Sequence, residues 1–139
     1  MIEEQFIEHQ CDRMKNKKSS YIIVSISIFV GLLHFVIGPD YQGIFKYFIR
    51  GYLIDILLPM NLYLLMQISI RKNIPVNKAR IIGALFTFAF GTIVEILQLY
   101  KIEFLGRTYD PCDILMYFIG IGLGIVIDLT IIDKFEKQM

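Results

Sequence analysis

Four long apolar stretches constrain the fold of this chain more than any other feature. They cover residues 21–37, 52–70, 81–99 and 114–132. A helix needs roughly 20 mostly apolar residues to cross the hydrocarbon core of a bilayer. The chain has 139 residues, of which 55% are apolar, and a mean hydropathy of +0.57, which is too hydrophobic for an ordinary soluble domain. The sequence therefore predicts an all-α integral membrane protein, a four-helix bundle.

The distribution of lysine and arginine predicts the orientation of this bundle. In a four-span topology, ten of these residues fall on one side: Arg13, Lys15, Lys17, Lys18, Arg71, Lys72, Lys78, Arg80, Lys134 and Lys137. Four fall on the other side: Lys46, Arg50, Lys101 and Arg107. Cytoplasmic segments carry the excess of positive charge. Both termini are therefore predicted to be cytoplasmic, and the loops after the first and third stretches are predicted to face outward.

Little sequence remains outside the predicted spans. Residues 1–18 are predicted to form a cytoplasmic segment with the pattern of a short interfacial helix, residues 19–133 the four-span domain, and residues 134–139 a cytoplasmic tail. The net charge of +1 gives no clustered basic face, so a nucleic-acid partner is not expected. Cys11 and Cys112 fall on opposite sides and lack metal-site spacing, so neither a disulfide nor a metal or other cofactor is predicted.

Polar residues concentrate toward the outward end of the predicted bundle. They are His34, Arg50, Asp55, Glu95, Gln98, Arg107, Asp110 and Asp113. Ionisable groups within a membrane normally face the bundle interior or a water-filled cavity, and they mark functional sites. The inner half shows few polar residues, and Asp128 is interpreted there as a boundary residue. The sequence thus predicts one outward-facing polar site.

Two acidic residues lie within the predicted spans at this end. Asp55 sits about one turn inside the second stretch, where an unpaired carboxylate costs a few kcal/mol. We therefore expect Asp55 to pair with Arg50 or Arg107, or to carry a proton. Glu95 and Gln98 are three residues apart and share a helix face. The amides of Asn61 and Gln67 are expected to bond between helices.

The start of the fourth stretch combines a cap with a close-packing face. Asp110 precedes a proline, which is typical of a residue that caps a helix amino terminus. Asp113 begins a helix face that continues through Tyr117 to Gly120 and Gly124. Small residues allow close approach of another helix, so this face is predicted to contact the second or third span, or a helix of a partner.

A set of residues in the second half of the chain resembles a family signature. The set consists of Glu95, Gln98, Gly106, Arg107, Asp110, Asp113, Gly120 and Gly124. It is similar to the signature of VanZ-like membrane proteins, small multi-span proteins whose founding member is associated with teicoplanin resistance. The motif IRGYLID, with Arg50 and Asp55, and Tyr117 in place of an asparagine make the chain most similar to an uncharacterised branch of that superfamily. The resemblance implies a shared fold, an outward polar site and a multi-pass protein of the bacterial plasma membrane.

Three interpretations of the polar site follow from the residues. We favour an envelope protein whose outward pocket binds an amphiphile or a lipid-linked small molecule, because the sequence has no nucleophile–base pair, metal triad or phosphate-binding loop. The predicted ligand-binding residues are Arg50, Asp55, Glu95, Gln98, Arg107, Asp110 and Asp113. The alternatives are an enzyme in which Glu95, Asp113 or Asp55 acts as acid or base on a lipid-linked substrate, and a structural ion-pair network.

Overall fold

Helices are the regular secondary structure in the part of the chain that the computed structural model describes, residues 1–37, 41–102 and 110–138. The first helix is Ile2–Ile37 and the third is Val76–Leu99. The second helix combines Lys46–Phe48, a π-helical segment at Ile49–Leu53, and Ile54–Ile70. The fourth helix combines Pro111–Ile127, a π-helical segment at Asp128–Ile132, and Asp133–Lys137. The all-α prediction is confirmed.

Four helices are long and apolar enough to cross a membrane. Their spans are Lys17–Ile37, Lys46–Ile70, Val76–Leu99 and Pro111–Lys137, of 21, 25, 24 and 27 residues. At about 1.5 Å per residue these spans are roughly 31–40 Å long, which exceeds the roughly 30 Å of a bilayer core. The four predicted apolar stretches therefore correspond to four helices, as expected for a multi-pass membrane protein.

The first helix continues through the predicted boundary at residue 18. Its 36 residues form one helix from Ile2 to Ile37, so the expected interfacial segment is the amino-terminal part of the same helix. No glycine or proline occurs before Gly31 to interrupt it. Glu3 and Glu4 lie in the first turn, where carboxylates stabilise the positive end of the helix dipole.

The second helix packs closely on the fourth through the glycine face. Gly120 lies against the backbone carbonyl of Ile56, and a Cβ added to Gly124 would lie 2.7 Å from the Tyr63 ring. Gly91 of the third helix contacts Tyr117 in a similar way, since a Cβ there would lie 2.8 Å from the Tyr117 ring. The predicted contact of the glycine face is therefore made with the second span of the same chain.

The first helix lies at the edge of the bundle. Only 6% of its apolar span is buried, compared with 28–33% of the other three. Ile23 contacts the core formed by Tyr63, Leu64, Ile121 and Ile132, which are all buried. Because the first helix packs so lightly, it leaves space between itself and the second helix.

The helices alternate in direction, so the bundle has two chemically different ends. We call the end where the second and fourth helices begin and the third ends the carboxylate end. The end where the second helix finishes at Ile70 and the third begins at Val76 is the arginine end.

Candidate functional site

Three acidic side chains from three helices meet at the carboxylate end. We call Asp55, Glu95 and Asp113 the carboxyl cluster. The side chains of Asp55 and Asp113 are neighbours that interact with each other, and Glu95 interacts electrostatically with both. The second helix packs closely on the fourth where Gly120 contacts the Ile56 carbonyl. Asp55 directly precedes Ile56, and Asp113 lies seven residues, about two turns, before Gly120. The structure thus brings together the three acids that the sequence singled out.

Glu95 is the most buried member of the carboxyl cluster, with 1% of its surface exposed. Its Oε1 accepts a hydrogen bond from the Tyr117 hydroxyl at 3.1 Å. Its Oε2 is buried and has no hydrogen-bond partner among the described residues. Sequence reasoning placed Tyr117 on the glycine face but did not identify it as the partner of Glu95.

The other predicted residues of this end have different environments. Gln98 is buried one turn after Glu95 on the third helix. Asp110 caps the fourth helix, because its carboxylate accepts a hydrogen bond from the Cys112 N–H at 2.9 Å. The predicted cap is therefore confirmed. Arg107 and Gly106 lie outside the described residues.

Arg50 does not join the carboxyl cluster. It is exposed within the π-helical segment of the second helix, and among the described residues no ion pair involves Asp55. The expected pairing of Arg50 with Asp55 is therefore not formed. Arg50 instead lines a cleft toward the first helix, whereas Asp55 interacts with Asp113 of the fourth helix.

A cleft of about 550 Å³ separates the first helix from the second near the carboxylate end. Its walls are Val30, Gly31, Leu33, His34, Ile37, Ile49, Arg50, Leu53, Ile54, Leu57, Leu58 and Asn61. Most of these side chains are aliphatic, and the polar ones are His34, Arg50 and Asn61. The cleft therefore lies on a different side of the second helix from the carboxyl cluster.

Polar groups mark both ends of this cleft. His34 and Arg50 stand where the first helix finishes and the second begins. At the other end, the Ser27 hydroxyl donates a hydrogen bond to Asn61 Oδ1 at 2.5 Å and joins the two helices. Eleven residues separate Arg50 from Asn61, which corresponds to about 16 Å along a helix. The cleft thus extends through about half the thickness of a bilayer core.

A second polar cluster, which the sequence analysis missed, occupies the arginine end. Asp128 is completely buried and accepts hydrogen bonds from Arg71, from Arg80 Nε at 2.8 Å and from the Tyr63 hydroxyl at 3.2 Å. Arg80 also pairs with Asp133 at 2.5 Å. The interpretation of Asp128 as a boundary residue is wrong, and this half of the bundle is not poor in polar groups.

Further hydrogen bonds connect this arginine cluster to the rest of the bundle. The Ser19 hydroxyl of the first helix donates to Glu136 at 2.5 Å, and Arg71 contacts the same carboxylate at 3.4 Å. Gln67 donates to the Ala79 carbonyl at 3.1 Å and accepts from Arg71. The expectation that Asn61 and Gln67 bond between helices is therefore confirmed.

The sequence contained a signal for the arginine cluster. Asp128 interrupts the apolar stretch 114–132, where a carboxylate requires a partner. Arg71 and Arg80 stand at the two ends of the loop between the second and third stretches. In the sequence both arginines were interpreted only as indicators of orientation, so their role as partners of Asp128 was not predicted.

The fold and these sites define a class: a multi-pass helical membrane protein with an apolar cleft and two internal polar clusters. Among the described residues, no group of three His, Cys, Asp or Glu side chains is placed to hold a metal ion. Comparison of the chain with models of protein families, with curated proteins and with solved structures gives no match.

Proposed function

We propose that this protein resides in the bacterial plasma membrane and binds an amphiphilic or lipid-linked ligand between its first and second helices. The observation that carries this proposal is the cleft of about 550 Å³, which is lined by aliphatic side chains and has Arg50 and His34 at one end. Ligand sites in proteins typically have volumes of roughly 300–1,000 Å³, apolar walls and a few polar groups. The cleft has each of these properties.

The positive charge of Arg50 in the cleft indicates which class of ligand would bind there. A guanidinium group binds phosphate or carboxylate through two parallel hydrogen bonds, and Arg50 stands at the rim of the cleft. None of the described lining residues carries a carboxyl group. The expected ligand therefore has an anionic head group that binds at Arg50 and an apolar chain that lies along Leu53 and Leu57.

The proposed orientation places the rim of the cleft at the outer surface. It is supported by the excess of lysine and arginine in the segments that join the arginine end, which predicts that both termini are cytoplasmic. In this orientation a ligand enters from the outer leaflet, where both phospholipids and lipid-linked envelope precursors present anionic groups. Phospholipids and lipid-linked precursors present the same kind of anionic group to Arg50, and they differ in mass.

A relationship to VanZ-like proteins, and with it a role in tolerance of envelope-directed antibiotics, is part of this proposal. It is supported by the signature set described above, of which Glu95 and Asp113 lie in the carboxyl cluster and Gly120 packs beside it. Asp55 of the IRGYLID motif contacts the same cluster. Residues of both motifs therefore meet in space.

The geometry favours binding over acid–base catalysis on a ligand in the cleft. The carboxyl cluster lies where the second, third and fourth helices come together, whereas the cleft lies between the second helix and the first. A general acid or base must lie within hydrogen-bonding reach of the proton that it transfers. The structural interpretation applies best to the arginine end, where Asp128 pairs with two arginines.

Mass spectrometry of the gently purified protein tests the proposal. We expect an anionic amphiphile to remain bound to the wild-type protein and to be lost from Gly31→Phe. Gly31 lines the cleft, and a Cβ added there meets no atom within 4 Å, so the new ring fills the cleft without moving the backbone. The mass of the bound molecule distinguishes a phospholipid from a lipid-linked precursor.

The matched control for this experiment is Gly122→Phe. A Cβ at Gly122 also meets no atom within 4 Å, but this residue belongs to the exposed surface of the fourth helix and does not line the cleft. It should retain the bound amphiphile. Equal retention by both variants, or a wild-type protein that binds only uncharged lipids, would contradict the proposal.

A further inference from the structure

We propose that the carboxyl cluster is a proton-binding site, in which Asp55 and Asp113 share one proton across the interface between the second and fourth helices. This inference concerns a different site from the cleft and does not depend on ligand binding there. The two carboxyl side chains are neighbours that interact with each other. Two ionised carboxylates that lie close together repel each other, whereas one acid and one carboxylate form a strong hydrogen bond.

The surroundings of the pair favour a bound proton. Among the described residues, the titratable groups that face it from the packed helices are Tyr52, Glu95, Asp110, Cys112 and Tyr117. None of these groups is a cation, and among the described residues no lysine or arginine forms an ion pair with Asp55 or Asp113. A proton shared by the pair therefore removes one of several negative charges that would otherwise lie close together.

Glu95 provides a second, independent observation at this site. Its side chain is buried, the Tyr117 hydroxyl donates to Oε1, and within the described part of the chain Oε2 has no hydrogen-bond partner. A buried carboxylate oxygen without a donor is costly. Its negative potential acts on the adjacent acids and increases the affinity of the pair for a positive charge. Glu95 is thus a positioning residue that holds the proton on Asp55 and Asp113.

Exposure of the pair allows the proton to exchange with water. Asp55 and Asp113 are each only partly buried, whereas Glu95 is fully buried. Asp55 directly precedes Ile56, whose carbonyl contacts Gly120 where the second and fourth helices pack closely. Loss of the proton adds like-charge repulsion at this closely packed interface, so proton occupancy and helix packing are coupled.

Infrared spectroscopy of the protein in lipid tests this inference. We expect a C=O stretching band of a protonated carboxylic acid near neutral pH, which disappears as the pH is raised. The band should shift in protein labelled with carboxyl-¹³C aspartate and stay unchanged in protein labelled with carboxyl-¹³C glutamate. This labelling is carried out on the wild-type protein, so the result does not depend on whether a variant folds.

Substitutions then assign the band to particular residues. Asp55→Asn and Asp113→Asn should each abolish it, while Glu8→Gln, which removes an exposed carboxylate of the first helix, should leave it unchanged. Glu95→Gln should keep the band but cause its loss at lower pH, because the charge that holds the proton is removed. A merely structural role of Glu95 would not shift this titration.

Other outcomes would overturn the proposal. Absence of the protonated band, its persistence in both asparagine variants, or its shift only with labelled glutamate would place no proton on the Asp55–Asp113 pair. An increase in thermal stability with sodium or potassium ions, compared with choline, that is lost in Glu95→Gln would identify the ligand as a metal cation instead.

Discussion

Arg80 of the third helix is partly buried and pairs with the fully buried Asp128 of the fourth, with 2.8 Å between Nε and Oδ2. Arg71, which directly follows the second helix, binds the other oxygen of the same carboxylate. One acid therefore joins three helices at the arginine end. The carboxylate end lacks such an arrangement among its described residues and instead gathers acids near one another.

Replacement of Asp128 should destabilise the bundle strongly. Asp128→Asn leaves the buried Arg71 and the partly buried Arg80 without their shared counter-ion. Removal of one partner from a buried pair typically costs about 3–5 kcal/mol. We expect a large decrease in Tm of the detergent-purified protein. Asp133→Asn is the control, because Asp133 contacts the same arginine with a side chain that is 20% exposed; its cost should stay below about 1 kcal/mol. Equal effects of both substitutions would contradict the central role of Asp128.

Packing at the glycine face predicts opposite effects of two similar substitutions. Gly120→Ala places a Cβ against the Ile56 carbonyl and 2.7 Å from Pro59 Cγ, so the backbone must move. Overpacking of this kind costs about 1–3 kcal/mol. Gly122→Ala meets open space and should be neutral or stabilising by up to about 1 kcal/mol. Thermal unfolding of the two variants in the same detergent checks this difference, and a stable Gly120→Ala would show that the two helices are not in close contact.

Removal of the charge at the cleft should weaken the proposed ligand contact. A hydrogen bond to a charged group contributes about 1.5–3 kcal/mol, which corresponds to a factor of about 10–150 in affinity. We expect Arg50→Gln to reduce the affinity for an anionic amphiphile by this factor and to leave binding of an uncharged analogue unchanged. Lys101→Gln, which removes an exposed charge at the same end, is the control. A similar loss in both variants would indicate general attraction of charge at this surface.

The two cysteines test the proposed orientation. Cys112 is exposed at the carboxylate end, whereas Cys11 lies on the first helix beyond the arginine end. A thiol reagent that cannot cross membranes should label Cys112 in intact cells and should label Cys11 only after permeabilisation. Labelling of Cys11 alone in intact cells would reverse the orientation and place the rim of the cleft at the inner surface.

Much of the carboxylate end followed from local sequence. Asp110 before a proline predicted a cap, and the cap is formed. The spacing of Gly120 and Gly124 predicted a close helix contact, which the second helix makes. These features depend on neighbours within one or two helical turns, so the sequence alone carries enough information to predict them.

Relations between helices were harder to predict. Asp128 is far in the sequence from Arg71 and Arg80. No local pattern indicates that these side chains contact one another. The same holds for Tyr117 and Glu95, which are 22 residues apart and hydrogen-bonded. Arg50 and Asp55 are close in sequence but have different neighbours, because Arg50 lines the cleft beside the first helix and Asp55 interacts with Asp113 of the fourth.

The sequence by itself determined the number of helices, their apolar character and the residues that are costly to bury, since each follows from composition and spacing along the chain. Only the tertiary structure decided which polar groups meet. Helix rotation and close packing at glycines direct Asp55 toward Asp113 and Arg50 toward the first helix. These choices depend on side-chain packing between helices, which hydrophobic periodicity does not encode.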